Sequence, residues 1–581
     1  MQDYETTLHI NRNENCFFSS SAQKSLEEAR TRLMMVMVSF VVCFSIITLR
    51  IVNLSVFTAG PEPRDSSIVA ADRSAGRADI TDRQGIILAT SVHTASLYAI
   101  PKRILDLAEA VQKLKSVFPS ISEKTLKEKL TSPKSFVWLK RNLTPAEHAQ
   151  TLKLGLPGLE FSREEKRIYP QGSTTSHVIG LTDIDGHGIA GVENFFDAEL
   201  RNSNTPLQLS IDTRAQHIVR EELIKAVKHF DAAGANCIIL DANTSEVVSM
   251  VSVPDFDPSG VNQAEAKQLF NTNTLAAQEM GSIFKILTVA MGVESGAVKM
   301  SNMYDARQPI KAAGFKINDF RGKKRWLSAP EVFIYSSNIG TVKMAQDMGL
   351  KYQRTFFKKM GLLSPTQIEL AEKAMPQRPE VWRDINTLTM SYGYGLGVTP
   401  LQFTNSIASV VNGGVLRTPT LLKQTNPVEG ERVLSEKTSD TMRRLLRLSV
   451  KRGTGRKANA SGYLIGGKSG TANSQDGGVY VTKNANRSSF VGAFPIHKPK
   501  YVILVTLDKP QGTAETFGYS TGGWTAAPTT KGIVERIAPI LGIQPIDENA
   551  PNIKNATYID LHPKQAIVGR IQLTPATYRL P

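Results

Sequence analysis

Cysteine is nearly missing, with three in 581 residues: Cys16, Cys43 and Cys237. No C-x-x-C pair occurs, which removes both a structural zinc site and a disulfide framework. Acidic residues are also in short supply, 53 Asp and Glu against 69 Lys and Arg, for a net charge of +16. That balance suits an anionic neighbour such as a membrane surface, a cell wall or nucleic acid, and does not choose among them. No internal repeat is visible. With 41% apolar and 21% charged residues, the chain has the composition of large buried cores rather than of disorder. At roughly 150 residues per domain, its length allows about four units.

Charge vanishes altogether between Leu33 and Leu49 (LMMVMVSFVVCFSIITL). As a helix this run covers roughly 26 Å, and with Arg50 snorkelling the apolar character continues through Phe57 to about 37 Å. A cleaved signal peptide has a shorter apolar stretch, and no convincing A-x-A site follows. A buried core helix is the other ordinary reading. The expectation is a single-pass membrane anchor over residues 33–57, behind a cytoplasmic tail of residues 1–32. Lys24, Arg30 and Arg32 precede it while Arg50 and Arg64 follow, a thin bias that keeps the N-terminus inside. Everything after the anchor then lies outside the cytoplasm, which demotes nucleic acid as a partner. The three cysteines are separated by the bilayer and have no pairing available.

Residues 58–75 are polar and turn-rich, a linker. From Arg77 to about residue 205 short alternating runs mix with helical ones. Strand-like stretches surround a turn at Asp82–Gly85 and cover Ala95–Tyr98, and helical spacing marks Asp106–Val117, Ile121–Leu130 and Ala146–Leu154. This α+β region shows no nucleophile and base together. A strand at Leu207–Ile211, a cap at Asp212-Thr213 and a helix from Arg214 to His229 open a second, larger domain, placed at residues 206–545. Within it CIILDANTSEVVSMVSV reads as a hairpin turning at Asn243-Thr244. Residues 546–581 are proline-rich and read as an irregular tail. The fold class is α+β multi-domain.

Three short motifs in the larger domain carry chemistry. Ser282-Ile283-Phe284-Lys285 precedes an apolar run, so a buried helix begins near the serine and Lys285 sits one turn along the same face. A serine hydroxyl needs an adjacent base, and a desolvated lysine has a lowered pKa. A helix N-terminus adds N–H groups for a developing oxyanion. Alone the pattern is weak, since Ser21–Lys24 repeats it and an ordinary capped helix explains it. Ser336-Ser337-Asn338 is the one S-x-N in the chain, in a helix-to-loop setting that a polar turn would also explain. Lys468-Ser469-Gly470-Thr471 holds the one K-[S/T]-G, in an edge-strand setting. A cation and two hydroxyls there can hold a carboxylate, and Gly470 removes a side chain from the substrate path. Singly, each is more often ordinary surface.

The three in this order and spacing match the serine acyl-transferases that penicillins acylate. The chain resembles the class B penicillin-binding proteins, in their division-specific septal (penicillin-binding protein 3) form. RADITDRQGIILA (Arg77–Ala89) and YPQGSTTSHVIGLTDIDGHGIAGVEN (Tyr169–Asn194) resemble segments of the family's pedestal. SYGYGLGVTPLQ (Ser391–Gln402) and TFGYSTGGWTAAP (Thr516–Pro528) resemble segments of its transpeptidase domain. Three departures stand out: Met280 replaces the usual proline, K-S-G replaces K-T-G, and Tyr394 stands where many relatives have histidine. None removes a reacting group.

The resemblance implies an anchor, an elongated non-catalytic pedestal of the dimerisation type over residues 58–205, and a two-lobed catalytic domain. That domain has an antiparallel sheet flanked by helices, with an all-helical part. It implies D,D-transpeptidation of peptidoglycan stem peptides, with β-lactams as imitators of the donor. Ser282 would be the nucleophile and Lys285 its base. Ser336 would relay a proton from Lys468 to the leaving amine, and Asn338 would position the peptide amide. Ser469 and Thr471 would bind the donor carboxylate beside Gly470, and the N–H groups of Ser282 and Thr471 would form the oxyanion hole. No metal or organic cofactor is implied. The implied partners are a membrane-embedded glycan polymerase and other division proteins at the bacterial inner membrane, and no nucleic acid. Three alternatives stay open: an elongation-type transpeptidase, a silent division scaffold, and a membrane-anchored β-lactamase or penicillin sensor. The last lacks a Glu-x-x-Leu-Asn between the second and third motifs.

Overall fold

The computed structural model describes residues 20–52, 76–426, 428–473, 475–476, 479–480 and 486–562. The chain divides into two units, one before Ala75 and one from Ala75 onward. In the first, a single helix runs from Ser20 to Val52. Its Arg30–Leu49 part, with mean hydropathy 2.2, is long and apolar enough to cross a membrane. The large apolar side chains there are 51–69% exposed, so this is not the core helix of a soluble domain. The rest of the expected anchor (53–57) and the linker (58–75) lie outside the described residues, as does residue 16.

The second unit opens with a sheet organised on one long strand, Ile87–Ala99. It pairs antiparallel with Leu159–Ile168, Val137–Leu143 and Ile80–Thr81. Helices Leu107–Val117, Glu123–Leu130 and Pro145–Lys153 cover one face, burying Leu97, Leu114, Phe118, Leu126 and Leu139. Asp106, Ser122 and Thr144 cap them, each accepting from a backbone N–H three residues on. The expected strand at Leu207–Ile211 shortens to Leu207–Gln208, because its parallel partner Ile80–Thr81 is only two residues long. Ser210 N turns instead to Leu421 O, and Asp212 caps the helix Thr213–His229. The joint near Pro206 is packed: Ile80, Leu88 and Val192 share a core with Ile238, Leu240 and Leu401.

Beyond it stands a five-stranded antiparallel sheet, in the order Gly466–Asn473, Asn486–Phe494, Tyr501–Asp508, Gly234–Asp241, Val247–Val253. The last two strands form the expected hairpin, with Asp241 Oδ1 accepting from Asn243 N and Thr244 N in the turn. Both faces are covered, which is why CIIL is apolar throughout rather than alternating. Thr213–His229 and Ala526–Ile540 pack on one face through Val219, Ile533 and Ile537 against Ile239 and Ile503. On the other face Lys285–Glu294, Pro400–Val411 and Glu436–Arg452 bring Ile286, Phe403 and Leu446 against Val491 and Leu504. Helices Ala329–Tyr335, Asn338–Met348 and Asp384–Ser391 extend this side into a helical lobe.

The C-terminal residues 546–562 are not irregular throughout. Pro551 starts a helix, Pro551–Thr557, at the position where a missing N–H costs nothing, and Ile553 is buried. Glu548 accepts from Arg447 at 2.7 Å, and Arg444 donates to Asn555 O and Tyr558 O. Residues 563–581 of the expected tail lie outside the described residues.

Candidate active site

Ser282 is delivered by a short bridge between two strands. Gln278–Glu279 pairs with Gly397–Val398, and Gly281 N donates to Gly393 O at 3.1 Å. Gly281 has φ +54, and a Cβ there would lie 2.7 Å from Thr471 O, so glycine alone fits. The next turn, Gly281–Phe284, is a 3-10 turn that runs into the buried helix Lys285–Glu294. In such a turn positions three apart eclipse, which is tighter than α-helical spacing implies. Lys285 Nζ accordingly sits 3.2 Å from Ser282 Oγ.

The S-x-N tripeptide is a hinge between two helices. Ala329–Tyr335 ends at Ser336, which takes a left-handed conformation with φ +61. Ser337 then caps Asn338–Met348 by accepting from Gly340 N at 2.9 Å. The sharp turn aims Ser336 and Asn338 at one amine. Lys285 Nζ lies 2.7 Å from Ser336 O, 3.1 Å from Ser336 Oγ and 2.6 Å from Asn338 Oδ1. Asn338 Nδ2 in turn donates to Asn318 O at 2.8 Å. Asp319 accepts from Ser337 Oγ at 2.7 Å and from Ile339 N at 2.9 Å.

Lys468, Ser469, Gly470 and Thr471 lie on the edge strand Gly466–Asn473. Lys468 is completely buried and donates to Ser469 O at 3.0 Å, with Thr454 Oγ1 at 3.5 Å. Ser469 Oγ donates to the same Thr454 hydroxyl at 2.8 Å. Thr471 Oγ1 accepts from Gly522 N at 3.2 Å. At Gly470 the space that a side chain would need is taken by the turn that carries Ser282. A Cβ there would stand 2.8 Å from Ile283 N and 2.9 Å from Ile283 Cγ2. Its missing side chain lets the strand close on the turn that carries Ser282. Thr454 and Asp319 were not foreseen in the sequence. The one local signal for Thr454 is its place in Gly453-Thr454-Gly455 after a long helix, which reads as an ordinary C-terminal turn.

Both lysines are pushed toward the neutral amine. Burial holds the Lys285 amine well below its ordinary value, the charge of Lys468 lowers it further, and Asp319 opposes them. Burial alone takes Lys468 down to about 7. A half-buried serine beside a buried amine of lowered basicity has the parts of an activated nucleophile. Among the described residues no group of His, Cys, Asp and Glu is placed to hold a metal ion.

Fold and site together define an acyl-transferring serine enzyme of the S-x-x-K class. The chain belongs to the penicillin-binding proteins: residues 235–535 match the penicillin binding protein transpeptidase domain, and residues 72–228 the penicillin-binding protein dimerisation domain. It is 35% identical over 540 residues to the probable peptidoglycan D,D-transpeptidase FtsI of Caulobacter vibrioides, covering 90% of this chain and 91% of that one. Against the peptidoglycan D,D-transpeptidase FtsI of Escherichia coli K12, identity is 29%, covering 81% of this chain and 85% of the relative. Among solved structures, penicillin binding protein 3 of Mycobacterium tuberculosis complexed with aztreonam superposes with a TM-score of 0.65 at 23% identity. That match covers 81% of this chain and 98% of the other.

Proposed function

We propose that this chain is a peptidoglycan D,D-transpeptidase of the division type, working through an acyl-enzyme on Ser282. The observation that carries the reading is the Lys285 amine, buried and 3.2 Å from Ser282 Oγ. As Oγ attacks the carbonyl carbon between the two terminal D-Ala residues of a donor stem, neutral Lys285 accepts its proton. Negative charge developing on the carbonyl oxygen is met by the N–H groups of Ser282 and Thr471. The C–N bond breaks and Ser336 hands the leaving amine a proton drawn from Lys468. The departing D-Ala carboxylate is held by Ser469 and Thr471, and Asn338 orients the donor amide. An amine from a neighbouring stem then attacks the ester, forms the cross-link and returns Ser282.

A β-lactam takes the donor's place, and the M. tuberculosis relative, solved with aztreonam, supports that reading. The FtsI relatives support a role in division over one in elongation. Lys24, Arg30 and Arg32 before the apolar run, against Arg50 and Arg64 after it, support a cytoplasmic N-terminus and a catalytic domain in the periplasm. The domains are read as a tail (1–32), an anchor (33–57), a pedestal (58–205) and a catalytic domain (206–545). The glycan strands come from a membrane-embedded polymerase, with other division proteins as further partners.

The test is replacement of the chromosomal copy by Ser282→Ala. Cells are expected to elongate without dividing. Normal division would make the chemistry dispensable and leave a scaffold, and rounding without a division block would indicate elongation.

A further inference from the structure

The loop beside one wall of the catalytic cleft reaches across to the other wall. Residues 318–325 start at the S-x-N wall, where Asn318 O and the Asp319 carboxylate hold Asn338 and Ser337. Two residues on, the Arg321 guanidinium lies over the Tyr519 ring at 4.6 Å and donates to its hydroxyl. Tyr519 belongs to the opposite wall. Its neighbour Ser520 accepts through its carbonyl from Ser488 Oγ, and Gly522 N donates to Thr471 Oγ1. Behind the contact Trp524 makes a platform, 5.6 Å from the Tyr519 ring, with Lys457 Nζ 4.2 Å over its own ring.

Both loops are held in conformations that side chains disfavour. Of the ten non-glycine residues with positive φ among those described, three lie here: Arg321 (+58), Lys324 (+52) and Phe517 (+53). Such outliers persist only where the surroundings hold them, and they gather at clamps and switch regions. Core packing does not explain the cost, because Arg321 is exposed, and Phe320 beside it and Phe517 in the other loop are each 77% exposed. An exposed cation–π contact adds little stability, yet this one joins the loop that holds Ser337 and Asn338 to the loop that holds Thr471.

We propose that Arg321 and Tyr519 are specificity-determining residues, forming a bar between the two walls that selects against bulky acyl groups on the ligand. The proposal rests on the acyl-enzyme reading of Ser282. A ligand with a small acyl side enters beneath the contact, whereas a bulky one must first break it. Neither residue touches the reacting atoms, so the chemistry itself is unaffected.

The test compares two probes on the full-length chain in detergent: 6-aminopenicillanic acid, which has no acyl side chain, and piperacillin, which has a large one. Second-order acylation rates are measured for wild type, Arg321→Ala, Tyr519→Leu and the double variant, with melting temperatures alongside. The rate ratio of piperacillin to 6-aminopenicillanic acid is expected to rise by about two- to fivefold, the equilibrium factor of an exposed cation–π contact. The double variant should match either single one, as two halves of one contact require. An unchanged ratio, an additive double variant, or equal loss with both probes would overturn the proposal. Tyr519→Phe, which keeps the ring, should fall between wild type and Tyr519→Leu and guards against misfolding of the larger change. If wild type took up neither probe, the acyl-enzyme reading would fail first and this one with it.

Discussion

Lys285 and Asn338 meet at 2.6 Å, the shortest contact the Lys285 amine makes. With Ser336 O at 2.7 Å, it occupies the two N–H groups that a neutral amine possesses. Two hydroxyls complete the surroundings of the amine, Ser336 Oγ at 3.1 Å and Ser282 Oγ at 3.2 Å. A third proton would block the lone pair of the amine. The two carbonyl oxygens accept from the amine in either protonation state, and it is burial with the Lys468 charge that favours the neutral one a base requires.

Lys285→Ala is expected to cut the second-order rate of penicillin acylation by at least about 10²-fold, the range of a lost general base. Lys285→Arg should not restore it, because a guanidinium stays protonated and cannot accept the serine proton. Stopped-flow acylation with melting temperatures as a folding control decides this. Near-wild-type rates for Lys285→Arg would reduce Lys285 to an electrostatic helper.

The two lysines give the pH profile opposite limbs. Rising pH deprotonates Lys285 and raises the maximal acylation rate. The Lys468 cation is lost as pH rises through about 7, so apparent affinity for a penicillin carboxylate should weaken above that value. The limbs belong to the pair rather than to either residue alone, so rate and affinity have to be separated at each pH. Lys468→Arg, charged throughout, should flatten the affinity limb, and should keep part of the activity if Lys468 acts mainly as a cation but not if it is the proton source for Ser336. If the alkaline loss of affinity survived in Lys468→Arg, another group would be its source.

Glu548 ties the C-terminal segment to the completely buried end of Arg447, which also donates to Ile465 O just ahead of the edge strand. Glu548→Gln removes the charge and keeps the shape. A loss of about 1–3 kcal/mol is expected, as for a hydrogen bond to a charged group, seen as a lower melting temperature. An unchanged melting temperature would mean that the Glu548 charge adds no stability.

The side chains that meet at the candidate site were legible because three motifs set them at fixed spacing on rigid elements. Ser282 and Lys285 are three apart on one turn, Ser336 and Asn338 flank one helix start, and Lys468 to Thr471 share one strand. Their supports were not legible. Thr454 meets Ser469 from fifteen residues away, and Asp319 meets Ser337 from eighteen, with no local pattern to announce either. Gly470 shows the same limit, since a sequence reveals the missing side chain and not the neighbour, Ile283, that requires it. In the C-terminal segment, proline count suggested irregularity, whereas position mattered more: Pro551 starts a helix.

The central claim is a covalent bond at one oxygen. The full-length chain is incubated with a fluorescent penicillin, digested, and the adduct located by mass spectrometry. A single labelled peptide containing Ser282 is expected, and none after Ser282→Ala. A label on any other residue, or undiminished labelling of Ser282→Ala, would contradict the account.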